Sequence, residues 1–233
     1  MKLLTGDLSP YSAKIRMQIY AMGITDIPFE LPTSFFKGKL SEESPIGRIP
    51  VLRLDDGIIP ESEVIAEYLD EIYPDRAMLG DTPRANAQVR LLSRIADTYL
   101  MNNIFMVLPQ IDRKNRVDEI RDLLVGQVVR GMGALERHIG SGHFAVGDSL
   151  TRADCTLVPA LFLCENTVPM LDVENPILAT TKVAAYWKKI QTNEFAAKIL
   201  GEMAAGLQAR LDGTERKQIE AAIAKEKPRG IQE

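Results

Sequence analysis

Over residues 1–76 the spacing of apolar positions changes repeatedly. Lys2-Leu3-Leu4-Thr5 is a short apolar run stopped by Gly6-Asp7, the pattern of a buried strand. Ile15, Ile19 and Met22 then recur at i, i+4 and i+7, behind Ser9-Pro10 and ahead of Gly23. A serine cap, a proline at the first helical position and a closing glycine predict an amphipathic helix between them. Phe29-Glu30-Leu31 reads as a second strand beyond a loop containing Pro28. Strand, helix, strand predicts a right-handed βαβ unit with parallel strands. An irregular segment from Phe35 to Ser44 carries Lys37 and Lys39. Ile49 to Leu54 and Gly57-Ile58-Ile59 then flank the hairpin turn signal Asp55-Asp56-Gly57. Glu61-Ser62 opens another helix, with Val64, Ile65, Tyr68, Leu69 and Ile72 on one face, ending before Pro74.

Past Pro74-Asp75-Arg76 the strand signals stop and helical periodicity takes over from Arg84. Val89, Leu92, Ile95, Ala96 and Tyr99 form one stripe, with Arg90, Arg94 and Asp97 mostly off it. Thr151-Arg152-Ala153-Asp154 has the spacing of a capping box, with Asp in place of Glu or Gln. Pro159 falls inside the apolar run from Cys155 to Cys164 and is expected to kink or divide it. From Asp212 the chain is charged and Ala-rich, a solvated helix or frayed tail. The pattern predicts an α/β domain of βαβ-ββα order over 1–76, a linker over 77–83, an all-α domain over 84–211 and a tail over 212–233.

Composition narrows the functional classes. With 45% hydrophobic and 26% charged residues among 233, a sizeable core is expected. A net charge of −4 argues against a broad nucleic-acid surface. No run approaches the ~20 apolar residues of a membrane span, and Met1 to Gly6 lacks a leader pattern, so a cytoplasmic protein is expected. Cys155 and Cys164 are not in C-x-x-C or ligand spacing and read as buried small hydrophobes. His138 and His143 flank a Gly-Ser-Gly turn without acidic or cysteine neighbours at ligand spacing, so no metal site is expected.

Four local signatures, in order, carry a resemblance. Ser9-Pro10-Tyr11-Ser12 stands at the first β-α junction. Ser44-Pro45-Ile46-Gly47-Arg48-Ile49-Pro50-Val51-Leu52 is similar to N-P-x-G-x-V-P-x-L, with Ser for Asn and Ile for Val. Glu61-Ser62 with Ile65 and Tyr68-Leu69 is similar to E/Q-S-x-x-I-x-x-Y-L. Gly147-Asp148 with Thr151 to Asp154 is similar to G-D-x-x-T-x-A-D. Together, over nearly all the chain to residue 211, they resemble the glutathione transferase superfamily, and a serine-type member of it. The resemblance implies a thioredoxin-like first domain, an all-helical second domain, glutathione as co-substrate and a homodimer. It places the thiol-activating group at Ser9 and the backbone of Ile49, before a cis Pro50, against the cysteinyl part. Ser62 is expected to take the γ-glutamyl carboxylate, Glu61 its amino group, and Lys37 or Lys39 the glycyl carboxylate. Tyr99, Asn103 and Phe105 are candidates for the wall facing a second substrate, and Arg90, Arg94 and Asp97 for a dimer contact. Arg16, also at a family position, reads as structural.

The chemistry asked of Ser9 is modest. A free thiol has a pKa of ~8.5, so little of it is thiolate at neutral pH. Lowering that by two units takes about 2.7 kcal/mol. A hydroxyl hydrogen bond to charged sulfur supplies roughly 1.5–3 kcal/mol, and a helix N-terminus about 0.3–1. Ser9 is equally placed to cap the helix, and a hydroxyl can do both because it has one proton and two acceptor sites. Ser12 and Tyr11 are the alternative donors.

The expected activity is that of a glutathione S-transferase in detoxification, acting on a small hydrophobic electrophile. The alternatives are a zeta-like isomerase, a dehalogenase or ether lyase, and a non-catalytic adaptor of the same fold. Leu157-Val158-Pro159 resembles the zeta class, whereas the zeta hallmark S-S-C is replaced by Ser9-Pro10-Tyr11.

Overall fold

The computed structural model describes residues 1–225; residues 226–233, the end of the expected charged tail, lie outside them. The N-terminal part runs β1 (Lys2–Leu4), α1 (Pro10–Ala21), β2 (Phe29–Glu30), α2 (Thr33–Phe36), α3 (Leu40–Glu43), β3 (Val51–Arg53), β4 (Ile58–Pro60) and α4 (Ser62–Ile72). The sheet order is β2-β1-β3-β4, with β1 parallel to β2 and antiparallel to β3. Leu3 sits opposite both Phe29 and Leu52, and Leu3 and Leu52 are fully buried. This is the βαβ-ββα order expected. The segment from Phe35 to Ser44 is more regular than its sequence suggests: it holds the two short helices, and Leu40 packs with Leu4 and Val51 in a small core of its own.

The remainder is helical. It comprises α5 (Pro83–Ile95), a π-helical turn (Ala96–Met101), α6 (Asn102–Val107), α7 (Asp118–His138), α8 (Arg152–Thr167), α9 (Lys182–Ile190), α10 (Glu194–Leu211) and α11 (Thr214–Lys225). The chain is therefore a thioredoxin-like unit joined to a helical one. Among the described residues no helix is long and apolar enough to cross a membrane.

The capping box at α8 forms. The Thr151 N–H donates to Asp154 Oδ2 at 2.8 Å, while Asp154 Oδ1 accepts from the Ala145 N–H and the Tyr186 hydroxyl. One buried carboxylate thus fixes the preceding turn and α9 to the start of α8. The expected division at Pro159 does not occur, since α8 runs unbroken through it. A mid-helix proline costs about 3 kcal/mol. Here Arg152 through Cys164 are buried on every side, against α1, α5 and α10, and that packing outweighs the lost bond. Cys155 and Cys164 are buried free thiols, and burial pushes Cys164 up to about 12.

Close backbone approach sets the π turn against α7. A Cβ on Gly131 would lie 2.6 Å from the Tyr99 Cβ and 3.0 Å from Leu100 Cδ2. Gly131→Ala is therefore expected to destabilise the fold by about 1–3 kcal/mol through overpacking. Gly133→Ala, on the same helix with nothing within 4 Å, is the matched control. Urea denaturation of the two variants reads the difference, and equal stability would remove the steric argument.

Candidate functional site

A cavity of about 260 Å3 opens between the two units. The N-terminal unit contributes Tyr11 from the first turn of α1, Arg48, Ile49 and Pro50 from the approach to β3, and Glu61, Ser62 and Glu63 from the start of α4. The Ile49–Pro50 bond is cis, as expected. Glu61 has φ 69° and ψ 118°, a left-handed backbone that a non-glycine residue adopts at a cost of about 1–3 kcal/mol. That bend delivers Ser62 to the first helical position, where the backbone N–H groups of the opening turn have no partner inside the helix.

The opposite wall is the α5 to α6 helix, through Arg94, Asp97, Thr98 and Asn102. Three of the four lie in or at the edge of the π turn. Such a turn replaces i→i+4 bonds with i→i+5 bonds and is often found at functional sites. The Tyr11 hydroxyl donates to the Asp97 carbonyl at 3.2 Å, and its ring stacks on Phe105 at 5.9 Å between centroids. Burial, then the nearby Asp97 carboxylate, pushes the phenol well above its ordinary value, so Tyr11 keeps its proton.

Beneath the cavity runs a buried ion cluster. Lys14, fully buried on α1, pairs with Glu63 Oε2 and, at 3.0 Å, with Asp97 Oδ2. Arg152, also buried, stands 3.7 Å from Glu63 Oε1 and 3.0 Å from Asp70 Oδ2. Burial works to raise Glu63, but Lys14 and Arg152 together outweigh it and hold the carboxyl below its ordinary value. At Asp97 burial wins over the same lysine, and the carboxyl is raised. The difference follows from exposure, since the Glu63 side chain retains more contact with water and has a second cation. The cluster joins the two cavity walls through one α1 lysine.

Of the residues expected at the site, Ile49, Pro50, Glu61 and Ser62 come together in this cavity. Ser9 caps α1, its Oγ accepting the Ser12 N–H at 3.3 Å, and lies outside the cavity lining, two residues before Tyr11. Tyr11 lines the cavity; Ser12 is fully buried and does not. Lys37 and Lys39 are exposed, in the α2–α3 connection, and lie outside the lining. Arg48, Glu63, Arg94, Asp97, Thr98 and Asn102 were not anticipated as lining. For Arg48 a signal was available, its place next to Ile49 in the proline motif.

The wall residues on the helix differ from expectation for a geometric reason. Asn103 is buried and donates to the Thr98 and Tyr99 carbonyls, closing the π turn, so it is not presented to the cavity. The wider turn rotates the inward face to Asp97, Thr98 and Asn102. Asp97, which the resemblance offered for a dimer contact, is buried and paired with Lys14 at the cavity wall. Arg94 faces the cavity, and Arg90 pairs with Glu67 at the surface, 3.4 Å away.

Comparison with known proteins agrees with this arrangement. Residues 3–77 match the glutathione S-transferase N-terminal domain, and residues 118–186 match the glutathione S-transferase C-terminal domain. The chain is 27% identical over 196 residues to the maleylacetoacetate isomerase of Pseudomonas aeruginosa, covering 79% of this chain and 91% of that protein. It is 27% identical over 154 residues to the probable maleylacetoacetate isomerase 2 of Drosophila melanogaster, covering 61% of this chain and 66% of that one. A glutathione S-transferase of Methylobacillus flagellatus, solved with glutathione bound, superposes with a TM-score of 0.72 at 22% identity, over 85% of this chain and 98% of that one. From its two domain matches and its fold, the chain belongs to the glutathione S-transferase superfamily.

Proposed function

We propose that the cavity binds glutathione and that the Ser9 hydroxyl holds its sulfur as the thiolate for attack on a small electrophile. The observation that carries this reading is the convergence of Ile49, Pro50, Glu61 and Ser62 on one cavity beside the start of α1. An extended tripeptide with two carboxylates and one ammonium needs matching groups at each end. The opening turn of α4 offers N–H donors and Ser62 to the γ-glutamyl carboxylate, and Glu61 offers a negative partner to the ammonium. The backbone of Ile49 pairs with the cysteinyl part as an added strand. Arg48, in the lining where Lys37 and Lys39 are not, takes the glycyl carboxylate.

Ser9 is favoured over Tyr11 as the donor because the two protons are differently committed. The Tyr11 proton is already given to the Asp97 carbonyl, whereas the Ser9 hydroxyl accepts at its cap and keeps its proton for a ligand. The working form is a homodimer, with glutathione consumed as co-substrate in the transferase reaction.

A second reading, glutathione-dependent isomerisation of a cis-dienoic acid, draws support from the relatives named as maleylacetoacetate isomerases. Turnover without loss of free thiol would identify it. Both readings require the tripeptide site. Ser62→Ala is expected to weaken glutathione binding about tenfold or more, the worth of one hydrogen bond to a charged group. Calorimetric titration measures it, and an unaltered dissociation constant would refute the assignment. Retention of the unmodified protein on immobilised glutathione separates both enzymatic readings from an adaptor, which would flow through.

A further inference from the structure

We propose that α10 braces the loop of residues 6–9, with Gly206 and Glu202 acting as positioning residues for the Ser9 hydroxyl. The inference rests on the reading of Ser9 as thiol donor and extends it to a segment that neither domain match reaches, since the second ends at residue 186.

Two contacts, one turn apart on α10, converge on that loop. Glu202 accepts from Arg16 Nε at 2.9 Å and from the Tyr20 hydroxyl at 2.8 Å. The other two nitrogens of the same guanidinium donate to Thr5 Oγ1, the Gly6 carbonyl and the Asp7 carbonyl, at 2.8 to 2.9 Å. The Gly6 carbonyl also accepts the Ser9 N–H at 3.1 Å. A single buried arginine therefore ties α10 to the backbone that positions Ser9. One turn further, Gly206 lies directly against the loop. A Cβ there would meet the Leu8 nitrogen at 3.1 Å, the Asp7 Cβ at 3.2 Å and the Leu8 Cβ at 3.3 Å. A side chain at this position displaces the loop by a few tenths of an ångström, and a hydrogen bond to sulfur is sensitive to such a shift.

The loop is also held by Leu8, which packs on the main core, by the approach of Gly6 to Ile49, and by the Ser9 cap of α1. Its residues belong to no helix or strand, and Asp7 is exposed. The brace adds the contacts of α10 to these anchors, on the side of the loop where Arg16 and Gly206 lie, and so tightens the placement of the Ser9 hydroxyl. Beyond it, α11 packs on α2, so the C-terminal arm touches the N-terminal unit at two places.

The test uses the full-length protein and a control built into the same helix. Gly201 is exposed with nothing within 4 Å of a Cβ, so Gly201→Ala shares the gain in helix propensity without the contact. Gly206→Ala is expected to lower kcat about fivefold and to shift the thiol titration of bound glutathione upward, with glutathione affinity held within about twofold. Glu202→Gln, which keeps the shape but removes the charge facing Arg16, is expected to move kcat and the titration in the same direction. Gly201→Ala should leave both unchanged. If Gly206→Ala and Glu202→Gln both match Gly201→Ala while Ser9→Ala abolishes thiolate formation, the brace is refuted and the role of Ser9 survives. If Ser9→Ala leaves the titration unaltered, the donor assignment fails and the brace falls with it.

Discussion

Ser9→Ala is expected to lower the conjugation rate about 10- to 100-fold, the loss of one hydrogen bond to a charged sulfur. The thiol of bound glutathione should then titrate back toward its solution value of ~8.5. Because Ser9 also caps α1, the variant should lose about 1 kcal/mol of stability. That loss is small enough for it to remain folded, with Pro10 still at the first helical position. Thiolate absorbance across a pH series and kcat measured on the same samples separate the two effects. Retained activity in Ser9→Ala, with loss in Tyr11→Phe, would transfer the role to the phenol. The phenol would then have to surrender its bond to the Asp97 carbonyl, and the π turn would have to adjust.

Lys14→Met is expected to have the largest effect on stability. The substitution nearly preserves volume but takes from Asp97 its lysine partner at 3.0 Å and leaves Glu63 with Arg152 alone, 3.7 Å away. Removing one partner from a buried ion pair costs about 3–5 kcal/mol. The pH dependence gives the sign. In the unmodified protein Glu63 is held below its ordinary value, so its contribution is present above that ordinary value and is lost as pH falls through the lower, folded one. Asp97 is raised, so its charge weakens the fold at neutral pH, and acid relieves that as pH falls below the raised value. Without Lys14 the burial that already raises Asp97 loses its main opposing charge, and Glu63 loses one of the cations that hold it low. The deficit of the variant should therefore be widest near neutrality and should narrow toward about pH 5. Urea titrations at the two pH values test this, and a deficit under about 1 kcal/mol at neutral pH would contradict the role given to the cluster.

Much of the fold could be read from local chemistry. Ser9-Pro10 marks the start of α1, Thr151 and Asp154 mark that of α8, and Asp55-Asp56-Gly57 marks the hairpin, because each is satisfied by neighbours close in the chain. The half of the candidate site built from short motifs was legible for the same reason. Lys14 was not. A lysine on a helix reads as a solvated charge, and its partners lie 49 and 83 residues away. The π turn leaves no comparable mark in composition, yet it decides that Asp97 and Asn102, not Asn103, face the cavity. At Pro159 the division that its local cost suggested does not occur, because α8 is packed on all sides.

The tie between Arg16 and Glu202 spans 186 residues, and this sets an order of events during synthesis. At ribosomal speeds the two ends of that tie emerge roughly ten to forty seconds apart. The thioredoxin-like part is free to form its sheet during that interval, but Arg16 waits for its Glu202 partner until α10 has left the exit tunnel. On the roles proposed for Ser9 and α10, a nascent chain would gain its thiol-ionising turn only after α10 has formed.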